Sequence, residues 1–433
     1  MVTSTADTVD GTCDSSCTLR EAITAVNAAE GTDTINFALP GPAPYTITLS
    51  QELPPTDHVL IDGLSQSGAT ATSPNVFLSG GSSVDEAISV AQTTIRGIGV
   101  IGFQGFSARA IELRDDNHIY ASVIGFVPGQ PAPAPAGEGI VITGDNNIVG
   151  TNGDGVNDAS EHNVISGWNV AIMIWGGNNR IANNYIGTNI AGTAAIPNGS
   201  TTITNSGGIR KVGPGNGTLI GTNADGTSDA LERNVISGNA RTAVSFGADA
   251  GDGAVRGNFI GVDASGTSPL PNGNGIEIDT SNIVIGGTAP VAGNVIAHSR
   301  RPAPFNPALG HGVAVGQDQS ETPVGIVVRG NSIFGNGTGN LGMRGGGGPN
   351  DALDADEGVN GIQNYPNLFA QTNQASGTTI EGTLASKPNQ SYDIDIYKAT
   401  CASYQDLLQY RGTETYLGSV TVQTDDAGSA DIM

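Results

Sequence analysis

The 433-residue chain contains 64 glycines and only 13% charged residues, and its 17 basic and 41 acidic side chains give a net charge of −24. Abundant Gly and Asn favour many short strands joined by tight turns over long helices. The acidic balance argues against non-specific binding to nucleic acid or anionic lipid, because both need a basic surface. It suits divalent cations, although acidic surfaces more often serve solubility. No apolar run approaches the length of a membrane-spanning helix.

Residues 1–33 are predicted to form a cap. Cys13 and Cys17 stand four positions apart with no other Cys or His nearby to complete a zinc site, so a disulfide is favoured. Residues 18–29 predict a helix, because Thr18 and Glu21 have capping-box spacing and the apolar residues share one face. Such a helix can cover the apolar end of a first coil. Met1 directly before polar residues is interpreted as a start codon placed on a mature secreted chain.

Residues 34–370 contain units that return at a nearly constant distance. The segment NVISG at Asn163 recurs 71 positions later at Asn234, and YIGTN at Tyr185 returns 74 positions later as FIGVD at Phe259. Repeats on this scale indicate a solenoid, in which each coil contacts only its neighbours. Each coil is predicted to hold three short strands, with Gly at the corners and stacked Asn residues at strand ends.

Beyond Gln371 the pattern changes to longer alternating runs, TTIEGTLAS, SYDIDIYKA and TYLGSVTVQT. This spacing is typical of antiparallel strands and predicts a small β-sandwich over residues 371–433, which we expect to be incomplete at its end. Cys401 lies in this domain and has no predicted partner.

The whole arrangement resembles secreted bacterial right-handed parallel β-helix proteins with an N-terminal CSLREA-type motif, within the pectin-lyase-like β-helix group. The motif stands here as CTLREA from Cys17 to Ala22, with Thr in place of Ser, and NVISGN, YIGTN, the PNG turns and EGTLASKPNQSYDIDIYKATC are similar too. The resemblance implies an all-β, right-handed parallel β-helix with an N-terminal capping helix and a C-terminal β-sandwich, secreted or at the cell surface. The group includes polysaccharide lyases, hydrolases, epimerases, adhesins and surface proteins, so the fold does not select among these functions.

One strand of each coil follows a GIxIx pattern, and stacking these strands predicts a continuous parallel sheet. The first Ile or Val of each strand is assigned to the interior. The residues one and three positions later, and the residue two positions earlier, are assigned to the outer face. Between Glu138 and His311 this face carries the residues predicted to meet a polysaccharide.

Two pairs on this face are candidates for catalysis. Arg210 and Lys211 suit a lyase, because they can neutralise a uronate carboxylate or act as the base in β-elimination. Lys211 falls in an inward position, so this role requires a bulge or a shift of register. Glu277 and Asp279 suit a hydrolase as an acid/base pair, or they hold Ca²⁺, or they are ordinary solvated residues.

Other residues on and near the face are candidates for substrate binding. Trp175 offers a flat apolar platform for a sugar, or is a plain surface aromatic, and Met173 and Glu138 lie beside it. A basic cluster formed by His298, Arg300, Arg301 and His311 can bind an anionic saccharide, or simply balances nearby acids.

Two loops contain spaced aspartates that can either hold Ca²⁺ or cap turns. Asp154 and Asp158 lie in the first loop, and Asp225 and Asp229 in the second. Neither loop has a complete calcium-loop pattern, so turn capping is the favoured interpretation. No metal ligand set is assigned, and Ca²⁺ is the one cofactor considered.

Two functions remain open. The first is a carbohydrate-active protein that binds or processes a polysaccharide on the sheet face, as a lyase or a glycoside hydrolase. The second is a non-catalytic surface, adhesion or matrix protein that can self-assemble, supported by the small and apolar residues Val141, Ser245, Gly247 and Ala314 on the same face.

Overall fold

The computed structural model describes residues 1–81, 84–103, 105, 107–300, 310–318, 322–344, 349–374, 377–398 and 414–433. Within these residues, successive strands enter three sheets in turn, and each sheet contains ten parallel strands. The chain therefore forms a parallel β-helix, as the repeats predict. A short helix precedes it, and antiparallel strands follow it.

The strands are numbered in chain order. Sheet 1 contains β1 (Asp33–Asn36), β4 (Val59–Asp62), β7 (Thr94–Arg96), β10 (His118–Tyr120), β13 (Ile148–Gly150), β16 (Arg180–Ala182), β19 (Thr218–Gly221), β22 (Gly253–Arg256), β25 (Ile283–Gly286) and β28 (Val327–Arg329). Sheet 2 contains β2 (Tyr45–Thr48), β5 (Val76–Ser79), β8 (Ile98–Ile101), β11 (Val123–Ile124), β14 (Asn163–Ile165), β17 (Asn184–Ile186), β20 (Val235–Ile236), β23 (Phe259–Ile260), β26 (Val295–Ala297) and β29 (Ser332–Phe334). Sheet 3 contains β3 (Thr56–Asp57), β6 (Glu86–Ala91), β9 (Arg109–Leu113), β12 (Glu138–Ile142), β15 (Val170–Ile174), β18 (Gly207–Lys211), β21 (Thr242–Phe246), β24 (Asn274–Ile278), β27 (His311–Val315) and β30 (Gly339–Met343).

Rows of buried Ile and Val from all three sheets fill the interior. Each row repeats one position of the coil, so neighbouring coils stack similar side chains at the strand spacing of about 4.8 Å. Gly occupies corners where the backbones approach closely. At Gly150, with φ of +97°, an added Cβ would lie 1.7 Å from the carbonyl oxygen of Ala182, so no side chain fits there.

Buried asparagines form ladders along the corners. In the longest ladder each side-chain amide donates to the carbonyl oxygen of the next at 2.8–3.0 Å: Asn163, Asn184, Asn234, Asn258, Asn294 and Asn331. The same amides also bond to backbone groups of adjacent turns, as Asn234 does to the Ile181 carbonyl oxygen. Because buried polar groups are costly without partners, these ladders fix the register of the coils.

The N-terminal helix, α1 (Leu19–Asn27), covers the first coil. Thr18 and Glu21 form the predicted capping box, and Leu19 and Ile23 belong to the same buried cluster as the strands. Arg20 forms a buried ion pair with Asp7 at 2.8 Å. A disulfide joins Cys13 to Cys17 immediately before the helix.

The C-terminal strands form two small antiparallel sheets. One contains β31 (Asn367–Gln374), β32 (Gly377–Ala385) and β35 (Ser429–Ile432), and the other contains β33 (Ser391–Lys398) and β34 (Thr415–Gln423). Leu384 from the first sheet and Ile394 from the second share one buried cluster, which makes the unit a small sandwich. Arg329 on β28 holds it to the β-helix through ion pairs with Asp393 and Asp395, each 2.6 Å long.

Two predicted features, Arg301 and Cys401, lie outside the described residues. Among the residues that are described, no helix has the length and hydropathy needed to cross a bilayer.

Candidate functional site

Sheet 3 has the register that the sequence pattern predicts. The predicted interior residues pair with one another from coil to coil and are almost completely buried: Ile111, Ile140, Ile172, Ile209, Val244, Ile276 and Val313. The residues that follow them form one column of the outer face: Glu112, Val141, Met173, Arg210, Ser245, Glu277 and Ala314.

The first residue of these strands also faces outward, although simple alternation would place it inside. The second position holds Gly or Ala, and the Gly139 backbone lies so close to the next coil that an added Cβ would be 2.6 Å from the Ala171 carbonyl oxygen. Side-chain contacts establish the outward direction. The Thr242 hydroxyl, at a first position, donates to Glu277 on the outer column at 3.0 Å.

The N-terminal part of this face carries an amino-terminal cluster, defined here as Glu86, Arg109, Glu112 and Glu138. Glu86 pairs across the strands with Arg109, which in turn pairs with Glu138. The Arg109 guanidinium lies 3.9 Å from one Glu112 carboxylate oxygen and 4.0 Å from one of Glu138. One arginine thus lies between two carboxylates.

The carboxyl groups of this cluster have different surroundings. Burial, followed by the charges of Glu112 and Glu52, raises the pKa of Glu86 to about 7. Burial also raises the pKa of Glu138, while Arg109 and Arg210 oppose this shift. Glu112 accepts a hydrogen bond from the Ser89 hydroxyl at 2.8 Å. At neutral pH, Glu86 is therefore poised to hold a proton beside acceptor groups.

Of this cluster, only Glu138 is among the residues that the sequence predicts to meet a substrate, because the candidates were limited to the stretch from Glu138 to His311. Extending the same columns backward by one coil reaches Arg109 and Glu112, and by another coil Glu86 and Ser89. The signal was therefore present in the pattern. The coils before Leu113 are less regular in sequence, so their register was harder to assign.

The middle of the face is apolar. Val141, Val170 and Met173 form a buried cluster against which Val212 packs. Met173, which the sequence predicts to bind substrate, lies on the outer face but is only 6% exposed. Trp175, three positions after the interior Ile172, is 48% exposed and offers its ring to solvent.

Arg210 and Lys211 point in opposite directions. Arg210 is partly buried on the outer face; burial lowers the pKa of its guanidinium, and the charges of Glu138 and Glu277 oppose this shift. Lys211 is wholly buried in the interior row with Ile174 and Phe246. Its ammonium donates to the carbonyl oxygens of Trp175, at 3.2 Å, and Gly213.

The prediction of Lys211 as a catalytic base is corrected by this position. No bulge turns the residue outward, because its strand keeps regular register with both neighbours. Burial lowers the pKa of the Lys211 ammonium to about 8. This perturbed group is nevertheless sealed from a substrate on the outer face.

Farther along the face lies a carboxy-terminal cluster, defined here as Thr242, Glu277 and Asp279. Burial is the main cause that raises the pKa of both carboxyl groups, and the two residues lie on the same side of the strand. Asp279 accepts a hydrogen bond from the Asp318 backbone N–H at 2.9 Å, and Glu277 accepts one from the Thr242 hydroxyl at 3.0 Å. Both of these hydrogen bonds come from uncharged donors.

The structure only partly describes the predicted basic cluster. His311 is half-buried at the first position of β27, and its backbone N–H donates to the Asn274 side chain at 3.1 Å. Arg300 is exposed on the preceding loop. His298 packs edge-on against Phe334, with ring centroids 5.5 Å apart, and burial lowers the pKa of its imidazole.

The loop aspartates cap turns. Asp158 accepts hydrogen bonds from the Thr151 hydroxyl at 2.6 Å and from the Gly155 backbone at 2.9 Å, and Asp229 makes equivalent contacts in the second loop. A different acidic group, Asp351, Asp354 and Asp356, has ligand atoms within 4.8 Å of one another and could hold a metal ion. Within the described residues, no such group of three includes Glu277 or Asp279.

No family model and no curated protein matches the chain. Similar solved structures include the Dettilon tailspike protein, with 12% identity and a TM-score of 0.37 over 98% of this chain and 89% of that chain. The alginate lyase AlyF-OU02 in complex with G6 shows 15% identity and a TM-score of 0.34 over 78% of this chain and 73% of that one. The A-module of the Azotobacter vinelandii mannuronan C-5 epimerase AlgE4 shows 15% identity and a TM-score of 0.39 over 78% and 90%.

Proposed function

We propose that the protein is a secreted glycoside hydrolase that cleaves a polysaccharide laid along the outer face of sheet 3. The observation that carries this proposal is the amino-terminal cluster, in which Glu86 and Glu112 sit on one face in different surroundings. Carboxyl groups held in opposite protonation states are the usual equipment of glycoside hydrolysis.

Each residue of the cluster has a defined task in this proposal. Glu86, whose pKa of about 7 keeps a proton available near neutral pH, protonates the oxygen of the scissile bond. Glu112 acts on the sugar carbon as nucleophile or activates water, and its hydrogen bond from Ser89 fixes its orientation. Arg109 lies between Glu112 and Glu138 and holds both carboxylates in place.

Trp175 provides a platform beyond the reacting groups. It lies two coils after Glu112, so the two residues are separated by about 10 Å along the axis of the β-helix. A sugar ring stacked on the exposed indole would therefore belong to a neighbouring unit of the same saccharide chain. The disulfide between Cys13 and Cys17 suits an oxidising, extracellular compartment.

Elimination is less well supported than hydrolysis. Of the two bases that the sequence suggested for a lyase, Lys211 is buried inside the β-helix, and Arg210 remains alone on the face. Arg210 is better placed to attract an acidic substituent than to remove a proton, since guanidinium stays charged at neutral pH.

The test is a panel of polysaccharides incubated with the protein, with and without Ca²⁺, followed by two product assays. We expect new reducing ends without the ultraviolet absorbance of an unsaturated uronate, and no product from the double variant Glu86→Gln, Glu112→Gln. An unsaturated product would mean that the protein catalyses elimination and not hydrolysis. Equal product from the double variant would refute the site.

A second candidate is a non-catalytic surface protein that assembles through its C-terminal sandwich. It is favoured by the exposed apolar side chains of Leu368, Phe369 and Leu417, which are 57–68% exposed. Light scattering over a concentration series tests it, because assembly through this surface should be weakened by Phe369→Ser. A monomer at every concentration would reject this candidate.

A further inference from the structure

The segment from Pro349 to Pro366 connects the β-helix to the C-terminal sandwich. On the β-helix side, the Asn360 side chain exchanges hydrogen bonds with the backbone of Ile326 at 2.8 and 3.1 Å. On the sandwich side, the Asn364 amide donates to the Ala385 carbonyl oxygen at 2.9 Å. The segment thus contacts the last coil and strand β32 at once.

Asp351, Asp354 and Asp356 converge in this segment. Asp354 is only 1% exposed and accepts hydrogen bonds from the Asn364 backbone at 2.8 Å and the Ser386 hydroxyl at 3.1 Å. One oxygen of Asp351 accepts from the backbone N–H groups of Ala355 and Asp356, at 3.0 and 3.1 Å. These hydrogen bonds to Asp351 and Asp354 all come from uncharged donors.

Two carboxylate oxygens in this group are buried without a donor. The Oδ1 atoms of Asp351 and Asp356 are inaccessible to solvent and make no hydrogen bond within the described residues. An anionic oxygen that has lost water and gained no donor is strongly destabilising, and three nearby carboxylates repel one another. No ion pair with a basic side chain offsets this charge in the part of the chain that the structure describes.

We propose that Asp351, Asp354 and Asp356 bind one Ca²⁺ ion, each through one carboxylate oxygen, since one such oxygen from each lies within 4.8 Å of the others. The ligand set consists only of carboxylate oxygens, which suits a hard cation and not zinc or copper. An irregular loop tolerates the variable geometry and high coordination number of Ca²⁺ better than the strict octahedron of Mg²⁺.

The ion stabilises the joint between the two parts of the protein. Asp354 is bonded to Ser386 of the sandwich, whereas Asn360 of the same segment is bonded to the last coil. Binding at the three aspartates therefore orders the connection and not the sheet-3 face. The proposal is independent of the proposed hydrolase activity, and its test needs no substrate.

The experiment is a titration of CaCl₂ into the full chain by isothermal calorimetry, after treatment with a chelator that is then removed. We expect one binding event per chain, tighter than that of MgCl₂. The affinity should fall at least tenfold in Asp356→Asn and binding should vanish in Asp351→Asn, Asp356→Asn. Asp154→Asn is the matched control, because this exposed loop aspartate already accepts two hydrogen bonds.

Thermal unfolding gives a second measurement that separates binding from simple damage to the fold. Without Ca²⁺, Asp356→Asn should unfold at a higher temperature than the unsubstituted chain, because it removes charge repulsion. At one fixed Ca²⁺ concentration, the unsubstituted chain and Asp154→Asn should gain the most stability, Asp356→Asn less, and Asp351→Asn, Asp356→Asn none. The proposal is overturned by unchanged affinity in Asp356→Asn, by loss of binding in Asp154→Asn, or by no one-site binding to the unsubstituted chain.

Discussion

The two polar clusters on sheet 3 occupy equivalent columns of one face, yet their carboxyl groups have different neighbours. In the amino-terminal cluster, Arg109 lies within 4.0 Å of both Glu112 and Glu138, while burial and neighbouring acids raise the pKa of Glu86 to about 7. In the carboxy-terminal cluster, burial raises the pKa of both Glu277 and Asp279.

This difference shows that position in a column does not determine chemistry. A repeat architecture presents the same positions on every coil, and the identity of the neighbouring side chain then decides the charge state. Acid and base roles require two carboxyl groups in different surroundings. In the amino-terminal cluster, burial raises the pKa of Glu86, whereas Glu112 accepts a hydrogen bond from Ser89. In the carboxy-terminal cluster, burial raises the pKa of both acids, so their surroundings do not separate them in the same way.

The largest expected effect separates the clusters directly. Replacing Glu112 by Gln removes the proposed nucleophile or base and should lower kcat by about 10²–10⁴-fold, the usual worth of such a group. Glu277→Gln is the matched replacement on the other cluster and should leave kcat nearly unchanged. Initial rates of reducing-end release measure both. Equal losses of kcat in the two variants would mean that both clusters contribute to catalysis.

A somewhat smaller effect concerns the general acid. Glu86 must be protonated to donate, so activity should fall as the pH rises through about 7. Glu86→Gln should lower the rate by about 10²-fold and remove this falling limb. Rates measured between acidic and alkaline pH test this expectation.

Glu138→Gln is the control for the pH profile, because Glu138 is a partly buried acid of the same cluster whose pKa is also raised. It should retain the falling limb near neutral pH. Persistence of the limb in Glu86→Gln, or its loss in Glu138→Gln, would assign the acid to a different residue.

The β-helix could be predicted from sequence because its signals repeat. Register along sheet 3 follows from Ile or Val at one position, and the stacked asparagines such as Asn184 and Asn234 mark the same corner of successive coils. Each coil must match its neighbours to bury its apolar row and satisfy its amides, so one correct alignment constrains the others.

The site could be predicted less well because function depends on single positions. Lys211 breaks an interior row of Ile and Phe, and the backbone carbonyls that accept its ammonium come from the corner after the strand, which no periodicity encodes. Met173 lies on the outer face as predicted, but valines of three coils bury it. Burial of an outer residue depends on tertiary neighbours.

A moderate effect is expected at Trp175, which lies between the two clusters. Trp175→Ala should weaken polysaccharide binding by about fivefold, because loss of an aromatic stacking surface costs roughly 1 kcal/mol. The value of kcat should change little, since the residue lies about two coils from Glu112. Affinity electrophoresis or calorimetry with the inactive Glu112→Gln background measures binding alone. Trp175→Phe should retain most of the affinity. Unchanged binding in Trp175→Ala would show that Trp175 does not contact the saccharide.

The smallest expected effect is on stability and concerns Glu277. Its pKa is raised above the ordinary 4.5, so the folded protein holds this proton more tightly than the unfolded chain does. The stability gained from the bound proton is greatest at acidic pH and is lost as the pH rises from 4.5 through the folded pKa. Relative to Glu277→Gln, the unsubstituted protein should therefore lose a small amount of thermal stability across this interval.

Thermal unfolding of both proteins at closely spaced pH values tests the sign of this effect. Thr242→Val is a useful second variant, because the Thr242 hydroxyl hydrogen bond opposes the rise in the pKa of Glu277. Without that bond the charged form is less favoured, so the loss of stability should extend to higher pH. A stability difference that grows in the opposite direction would mean that Glu277 is ionised when buried, as expected of a group paired with a cation. The carboxy-terminal cluster would then offer the ionised carboxylate that an acid/base site requires.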